Sequence, residues 1–286
     1  MLVNLQEVLS YAEKRQCAIG AFNTPNFECI MAVINNAEKF QIPVIIEHAQ
    51  VHESVMPLET IGPVMVHFAK KAKVPVCVHL DHGESLDYIE KALELGFTSA
   101  MYDGSRLSFE ENVTNTLKAV TMVRKYNAGI EAEIGVMTGG EAGGSEGHGS
   151  NINNKEDMYT DPELAYKFVK ATGIDALAAS FGTVHGFYTA KPQLDFQRIE
   201  QIKNMTGIPV VMHGGSGLSP EDYKEAIRRG VRKINYYSYM SKEALVEARR
   251  HINDDSVQYY HDIAGIAVQA MQNNSEQAMR IFYGLE

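Results

Sequence analysis

The chain has 286 residues, 45% hydrophobic and 22% charged, which supports a sizeable core. That length suits a single α/β barrel domain, a fold that commonly runs to about 250 residues as one unit. A net charge of −10 argues against nucleic acid or an anionic membrane as partner, although backbone amides can still bind an anion locally. Cys17, Cys29 and Cys77 are odd in number, lie in apolar contexts and form no CxxC, so reduced core thiols in a cytoplasmic protein are expected.

The N-terminal stretch MLVNLQEVLSYAEKRQ has an amphipathic helical pattern without the apolar centre of a signal peptide, and no run approaches 18 apolar residues. After it come eight short apolar runs that read as strands: Cys17–Phe22, Pro43–Ile46, Val74–Leu80, Thr98–Tyr102, Gly129–Ile134, Ala176–Ser180, Pro209–Met212 and Lys233–Tyr236. Amphipathic stretches separate them, among them Glu28–Phe40, Asp87–Leu95, Phe109–Tyr126 and Pro162–Thr172. Asp161-Pro162 and Ser219-Pro220 supply an N-cap followed by a first-turn proline. Strand alternating with helix eight times predicts a (β/α)8 barrel over about residues 5–240. Two further helical segments, Lys242–Ile252 and Val257–Phe282, form a tail from 241 that packs outside the barrel or on a partner subunit. Gly135–Gly149 has seven glycines in fifteen residues, which fits a functional lid better than a linker, with a plain surface loop as the alternative.

The chemistry concentrates around VPVCVHLDHG, Val74–Gly83. Its apolar run stops on Asp81 and His82, at the carboxyl end of a strand, where parallel α/β folds place their active residues. An acid beside a metal ligand and a helix N-cap beside a surface histidine are equally good readings of this pair alone. The other strand ends contribute Asn23, Glu47, His48, Asp103, Glu133, His185, His213 and Asn235 to the same mouth. Three imidazoles, His82, His185 and His213, match a zinc site with three protein ligands and an open position. Asp103 and Glu133 either form a second metal position or orient the histidines from outside. His213-Gly214-Gly215-Ser216-Gly217, followed at once by the helix at Ser219, has the form of a phosphate cradle of backbone amides plus a helix N-terminus. Gly186, Asn235 and the Ser238 hydroxyl would line the same pocket.

These motifs resemble a known family. HLDHG (His79–Gly83), MYDGS (Met101–Ser105), EAEIG (Glu131–Gly135), GTVHG (Gly182–Gly186), HGGSGLS (His213–Ser219) and KIN (Lys233–Asn235) are similar, in order, to the class II zinc-dependent ketose-bisphosphate aldolases. The resemblance implies a TIM barrel, one catalytic Zn2+, an accompanying Na+ or K+, a small sugar-phosphate substrate and a homodimer or homotetramer. It assigns zinc to His82, His185 and His213, a secondary metal position to Asp103 and Glu133, and the acid/base to Asp81. Gly186, Gly214, Gly215, Ser216 and Ser238 fall in the family's phosphate cradle, while Asn235 falls at the dihydroxyacetone phosphate (DHAP) half and Asn23 is a further substrate- or phosphate-binding candidate. Glu141 is the choice for the loop glutamate that moves the C3 proton, with Glu146 as its rival. The implied reaction is reversible cleavage of a ketose phosphate to DHAP and an aldehyde through a metal-stabilised enediolate. A Schiff-base lysine is not expected, because the sixth strand has none and Lys233 is read as lying at the start of its strand, on the far side of the barrel.

The departures from the family lie at the aldehyde end. Glu47-His48-Ala49-Gln50 stands where relatives have a phosphate-binding serine, Tyr259–Val268 lacks the expected arginine, and Tyr237 follows Asn235 by two. His48, Gln50 and Tyr237 are therefore the specificity candidates, and a ketose 1-phosphate, or a 6-substituent other than phosphate, is the expected substrate. A zinc hydrolase and a non-catalytic sugar-phosphate-binding protein are the competing readings of the same barrel.

Overall fold

A computed structural model of the chain describes residues 1–135, 159–188 and 191–285. The elements run β1 (Leu2–Val3), α1 (Leu5–Arg15), β2 (Ile19–Asn23), α2 (Phe27–Phe40), β3 (Val44–Ala49), α3 (Leu58–Lys71), β4 (Val76–Gly83), α4 (Leu86–Glu94) and β5 (Ser99–Tyr102). They continue with α5 (Phe109–Lys125), β6 (Gly129–Ile134), α6 (Pro162–Thr172), β7 (Ala176–Ala179), α7 (Phe196–Thr206), β8 (Val210–Met212), α8 (Pro220–Arg229), β9 (Val231–Tyr236), α9 (Ser238–His251) and α10 (Tyr260–Tyr283). Strands β2 to β9 pair in parallel around a closed ring, β2 with β9 on one side and β4 with β5 on the other. The eight expected strands thus form a (β/α)8 barrel.

The ninth strand, β1, has a local cause. β5 begins pairing at Ser99 opposite His79, so the edge of β4 below that point lacks β5 as a neighbour. Leu2 and Val3 pair there with Val76 and Cys77. An open parallel edge leaves backbone groups unpaired, and two residues of strand cover it. The amphipathic pattern starting at Met1 therefore becomes helix only at Leu5, after a capping box between Asn4 and Glu7. Elsewhere the N-caps fall where small polar residues predict them, at Ser85, Ser108, Asp161 and Ser219.

The tail packs on the barrel's own elements. Helix α10 lies against α9 and α2. Its Phe282 carbonyl accepts from the Ala18 N–H at 3.0 Å, and Phe282 packs edge-on against Tyr223 at 4.9 Å. The Tyr283 hydroxyl, fully enclosed, donates to the Pro43 carbonyl at 2.5 Å and accepts from the Gly20 N–H at 3.2 Å. No helix among the described residues is long and apolar enough to cross a membrane.

The upper end of β4 is the irregular part of the barrel. Leu80 pairs with Ala100, but the next pair is Gly83 with Tyr102, so β4 carries one extra residue over that step. Gly83 makes this fit, because a β-carbon there would sit 2.7 Å from the Met101 carbonyl and 2.9 Å from Ile89. Gly83→Val should therefore destabilise the fold by about 1–3 kcal/mol, read as a lower urea midpoint at an unchanged slope. An unchanged midpoint would show that β4 and β5 separate freely at this point.

Candidate active site

In an unbroken strand adjacent side chains point to opposite faces. His79 and Asp81 point into the barrel, so His82 should face the helices. Instead the bulge, with His82 in the left-handed region at φ 47°, turns its ring to the mouth beside Asp81. The His82 Nε2 lies 3.8 Å from Asp81 Oδ1. Left-handed backbone at a non-glycine residue costs about 1–3 kcal/mol, and the surrounding structure holds it.

The three histidines predicted from sequence meet. Ring centroids of His82 and His213 are 4.6 Å apart, those of His82 and His185 are 5.2 Å, and those of His185 and His213 are 5.8 Å. His185 comes from the loop after β7, six residues beyond its end, rather than from a strand. Each ring has a nitrogen within 4.8 Å of the others. Carboxylates settle the opposite nitrogens of two of them. Asp103 Oδ2 sits 2.7 Å from His82 Nδ1, and Glu131 Oε1 sits 2.7 Å from His213 Nε2. A carboxylate accepts, so both of those nitrogens carry the hydrogen. That leaves His82 Nε2 and His213 Nδ1 as lone-pair donors facing each other at 2.7 Å. Two lone pairs so close require a proton or a metal ion between them, and with His185 beside them the three-nitrogen donor set fits a metal ion. Asp103 also accepts from the Ser105 N–H and hydroxyl, at 3.0 and 2.7 Å. Burial opposes its ionisation, but these bonds and His82 hold its carboxyl below the ordinary range. Glu133 is buried with an oxygen in the same group as His82 and Asp103.

Asp81 is 3% exposed, and both its oxygens are held. Asn23 Nδ2 donates to Oδ2 at 2.9 Å and Asn235 Nδ2 to Oδ1 at 3.1 Å. Burial would raise its pKa; His82, His213 and Lys233 bring it below the ordinary carboxylate value. Here the structure corrects the reading of Lys233. Along β9, Arg232 reaches outward to Glu13 at 3.0 Å, whereas Lys233 turns into the barrel and is fully buried. Its ammonium lies 2.8 Å from Asn235 Oδ1, 3.0 Å from Glu131 and 3.4 Å from Glu47. Burial works against its charge, but Glu131, Glu47 and Asp81 hold it above the usual lysine pKa, so it stays protonated and is no Schiff-base nucleophile.

Glu47 needs a second correction. It is 0% exposed and faces Lys233 inside the barrel, so it does not supply a negative charge at the aldehyde end. Burial and Asp81 push its carboxyl well above the ordinary value. Glu131, by contrast, is brought to about 2 against its burial by Lys233 and His213. His79 donates or accepts at Ser99 at 2.7 Å, and burial lowers its pKa to about 3. Glu131, Lys233 and His79 were not singled out from the sequence as site residues. Their signal was available: GIEAEI and KIN alternate polar with apolar, which puts those polar groups on the inner face.

Above Asp81 opens a cleft lined by Asn23, Ala49, His52, Asp81, His185, Gly186, Gly214, Ser216, Asn235, Tyr236, Tyr237 and Ser238. No lysine or arginine is among these described lining residues. Gly214 has φ 60°, and a β-carbon there would sit 2.4 Å from the Val184 carbonyl, so the turn excludes other residues. Gly215 does not line the cleft; its carbonyl accepts from the Tyr223 hydroxyl. The helix start that reaches the cleft belongs to α9, at Tyr237 and Ser238, with no side-chain cap. The α8 start expected from the sequence is instead capped by its own Ser219, which accepts from Asp222 N–H at 3.2 Å. Of the specificity candidates, Tyr237 lines the cleft. His48 is buried away from it against Tyr88 (3.2 Å), with its pKa lowered by burial to about 4, and Gln50 accepts from the Glu84 N–H at 2.8 Å. His52, which the sequence reading passed over, takes their place and stands edge-on to Tyr237 at 5.2 Å. Glu141 and Glu146 lie outside the described residues.

Replacing Asp103 by Asn removes the charged acceptor that fixes the His82 tautomer. Competition with a chromogenic chelator should show metal affinity falling by about 10–100-fold in Asp103→Asn. Affinity within twofold of wild type would mean that His82 is oriented without it.

Comparison with known proteins agrees with this geometry. The family model described as fructose-bisphosphate aldolase class-II matches residues 3–284. A probable fructose-bisphosphate aldolase of Bacillus subtilis is 37% identical over 82% of this chain and 80% of its own length. The sulfofructosephosphate aldolase of Alkalicoccus urumqiensis is 35% identical over 96% of this chain and 94% of its own. The crystal structure of the YdjI aldolase from Escherichia coli superposes with a TM-score of 0.86 at 32% identity, covering 99% of this chain and 97% of that one. The chain belongs to the class II fructose-bisphosphate aldolase family and is a carbon–carbon lyase.

Proposed function

We propose that this protein is a zinc-dependent aldolase that reversibly cleaves a ketose 1-phosphate, or a ketose phosphate whose far end carries a group other than phosphate, into DHAP and an aldehyde. The observation that carries it is Asp81 held by two amides at the floor of a cleft, 3.8 Å from a nitrogen of the three-histidine group. Zinc bound by His82, His185 and His213 supplies a Lewis acid for the C2 carbonyl. The chain supplies the rest. Asn23 and Asn235 fix the Asp81 carboxylate, which takes the C4 hydroxyl proton. Gly186, Gly214, Ser216 and the uncapped start of α9 at Ser238 receive the C1 phosphate through backbone and hydroxyl donors, with a monovalent cation completing the charge balance. Asp103 orients His82, with Glu133 beside it. We assign proton transfer at C3 to Glu141, with Glu146 as the rival. The protein acts as one barrel domain in a cytoplasmic homodimer or homotetramer.

The aldehyde half meets Ala49, His52 and Tyr237, none of them a permanent cation. A second phosphate dianion calls for guanidinium or ammonium donors. The relative named a sulfofructosephosphate aldolase supports a non-phosphate group at that end.

Two assays test this reading. Asp81→Asn should lower kcat for cleavage by about 10²–10⁴-fold at unchanged zinc content; a variant retaining more than about a tenth of wild-type turnover would remove Asp81 from the role. With wild type, kcat/KM for fructose 1-phosphate should equal or exceed that for fructose 1,6-bisphosphate. A tenfold preference for the bisphosphate would contradict the assignment of the far end.

A further inference from the structure

Barrel interiors are ordinarily packed with branched apolar side chains. This one instead buries Lys233 with Glu47 and Glu131, and nothing in the reaction described above uses the ammonium. Such a buried pair is weak evidence for stability, because apolar residues of similar volume often serve as well. The contacts of Lys233 point elsewhere. Its Nζ lies 3.0 Å from Glu131 Oε2, and the other oxygen of that carboxylate, Oε1, lies 2.7 Å from His213 Nε2. The same Nζ donates to Asn235 Oδ1 at 2.8 Å, and the amide nitrogen of Asn235 donates to Asp81 Oδ1 at 3.1 Å.

We propose that Lys233 is a positioning residue that sets both halves of the site at once, the metal-ligating nitrogen of His213 through Glu131 and the Asp81 carboxylate through Asn235. This rests on the zinc aldolase reading. An ammonium has three donors and no acceptor. Asn235 must therefore turn its oxygen to Lys233, which leaves its amide nitrogen for Asp81. The flipped amide would set N–H groups against the ammonium and its oxygen against the carboxylate, with repulsion at both ends. On the other branch, Lys233 takes one oxygen of Glu131 and leaves the other to accept from His213 Nε2, so Nδ1 faces the metal position.

The test uses Lys233→Met combined with Glu47→Gln, which removes the ammonium together with the carboxyl that faces it, with Glu47→Gln alone as the control for loss of that carboxyl. Zinc Kd from chelator competition should rise by about 10–100-fold in the double variant, as for loss of an outer partner of a ligand. At saturating zinc, kcat for ketose-phosphate cleavage should fall while KM changes by less than about threefold, because the phosphate donors do not depend on Lys233. The control should keep zinc affinity within about twofold. A folded double variant with wild-type zinc affinity and kcat overturns the proposal. If the double variant does not fold, wild-type protein labelled with [¹⁵N]lysine gives the answer. The Lys233 ammonium resonance should shift when zinc is added, and a resonance that zinc leaves unmoved overturns the relay. Wild type that takes up no zinc overturns the functional reading as well, and so is distinguished from failure of the relay alone.

Discussion

Two neighbours on a strand cannot ordinarily share a face, and the site needs Asp81 and His82 to do so. The extra residue between Leu80 and Gly83, with His82 left-handed at φ 47°, breaks the alternation at that one point. The rest of the mouth follows from it. Once His82 turns inward, its Nε2 can meet His213, its Nδ1 can donate to Asp103, and Asp81 keeps its inward position under Asn23 and Asn235. Gly83 is the residue that lets the bulged strand lie against the Met101 carbonyl.

Below the bulge the interior is polar, and its charges constrain one another. Lys233 keeps its proton because three carboxylates surround it, and Glu131 keeps its charge because Lys233 and His213 face it. Glu47 is the exception: burial and Asp81 drive its carboxyl well above the ordinary value although Lys233 faces it. The substrate cleft above uses a different kind of recognition. Glycine turns, a serine and a helix start present backbone and hydroxyl donors there, a form suited to an anion, and no cationic side chain lines the cleft among the described residues.

Most of the fold was legible in the sequence because each barrel strand is a short apolar run between punctuated helices, and the strand ends carried His82 and His213, with His185 in the loop that follows β7. The misreadings have specific physical causes. β1 is two residues long and exists to cover the open edge of β4, so no local periodicity announces it. Lys233 was read as the start of its strand, but β9 begins two residues earlier, at Val231, and the two-residue period of the strand puts Lys233 on the same inner face as Asn235. Glu47 and His48 were both placed at the aldehyde end, but in an alternating strand one goes to the interior and the other to the helix layer, and neither lines the cleft. His52 was missed because it enters from the single 3-10 turn Gln50–Ser54, whose direction depends on the tertiary fold.

The central claim is that this site generates and protonates the carbanion of DHAP with metal assistance. Proton exchange at C3 tests it without knowledge of the aldehyde. Purified, zinc-loaded protein is incubated with DHAP in D₂O, and deuterium entering C3 is followed by NMR with and without a chelator. The account predicts stereospecific incorporation that the chelator abolishes and added zinc restores. A folded, zinc-loaded protein that leaves C3 unlabelled, or that labels it equally in the presence of chelator, would contradict it.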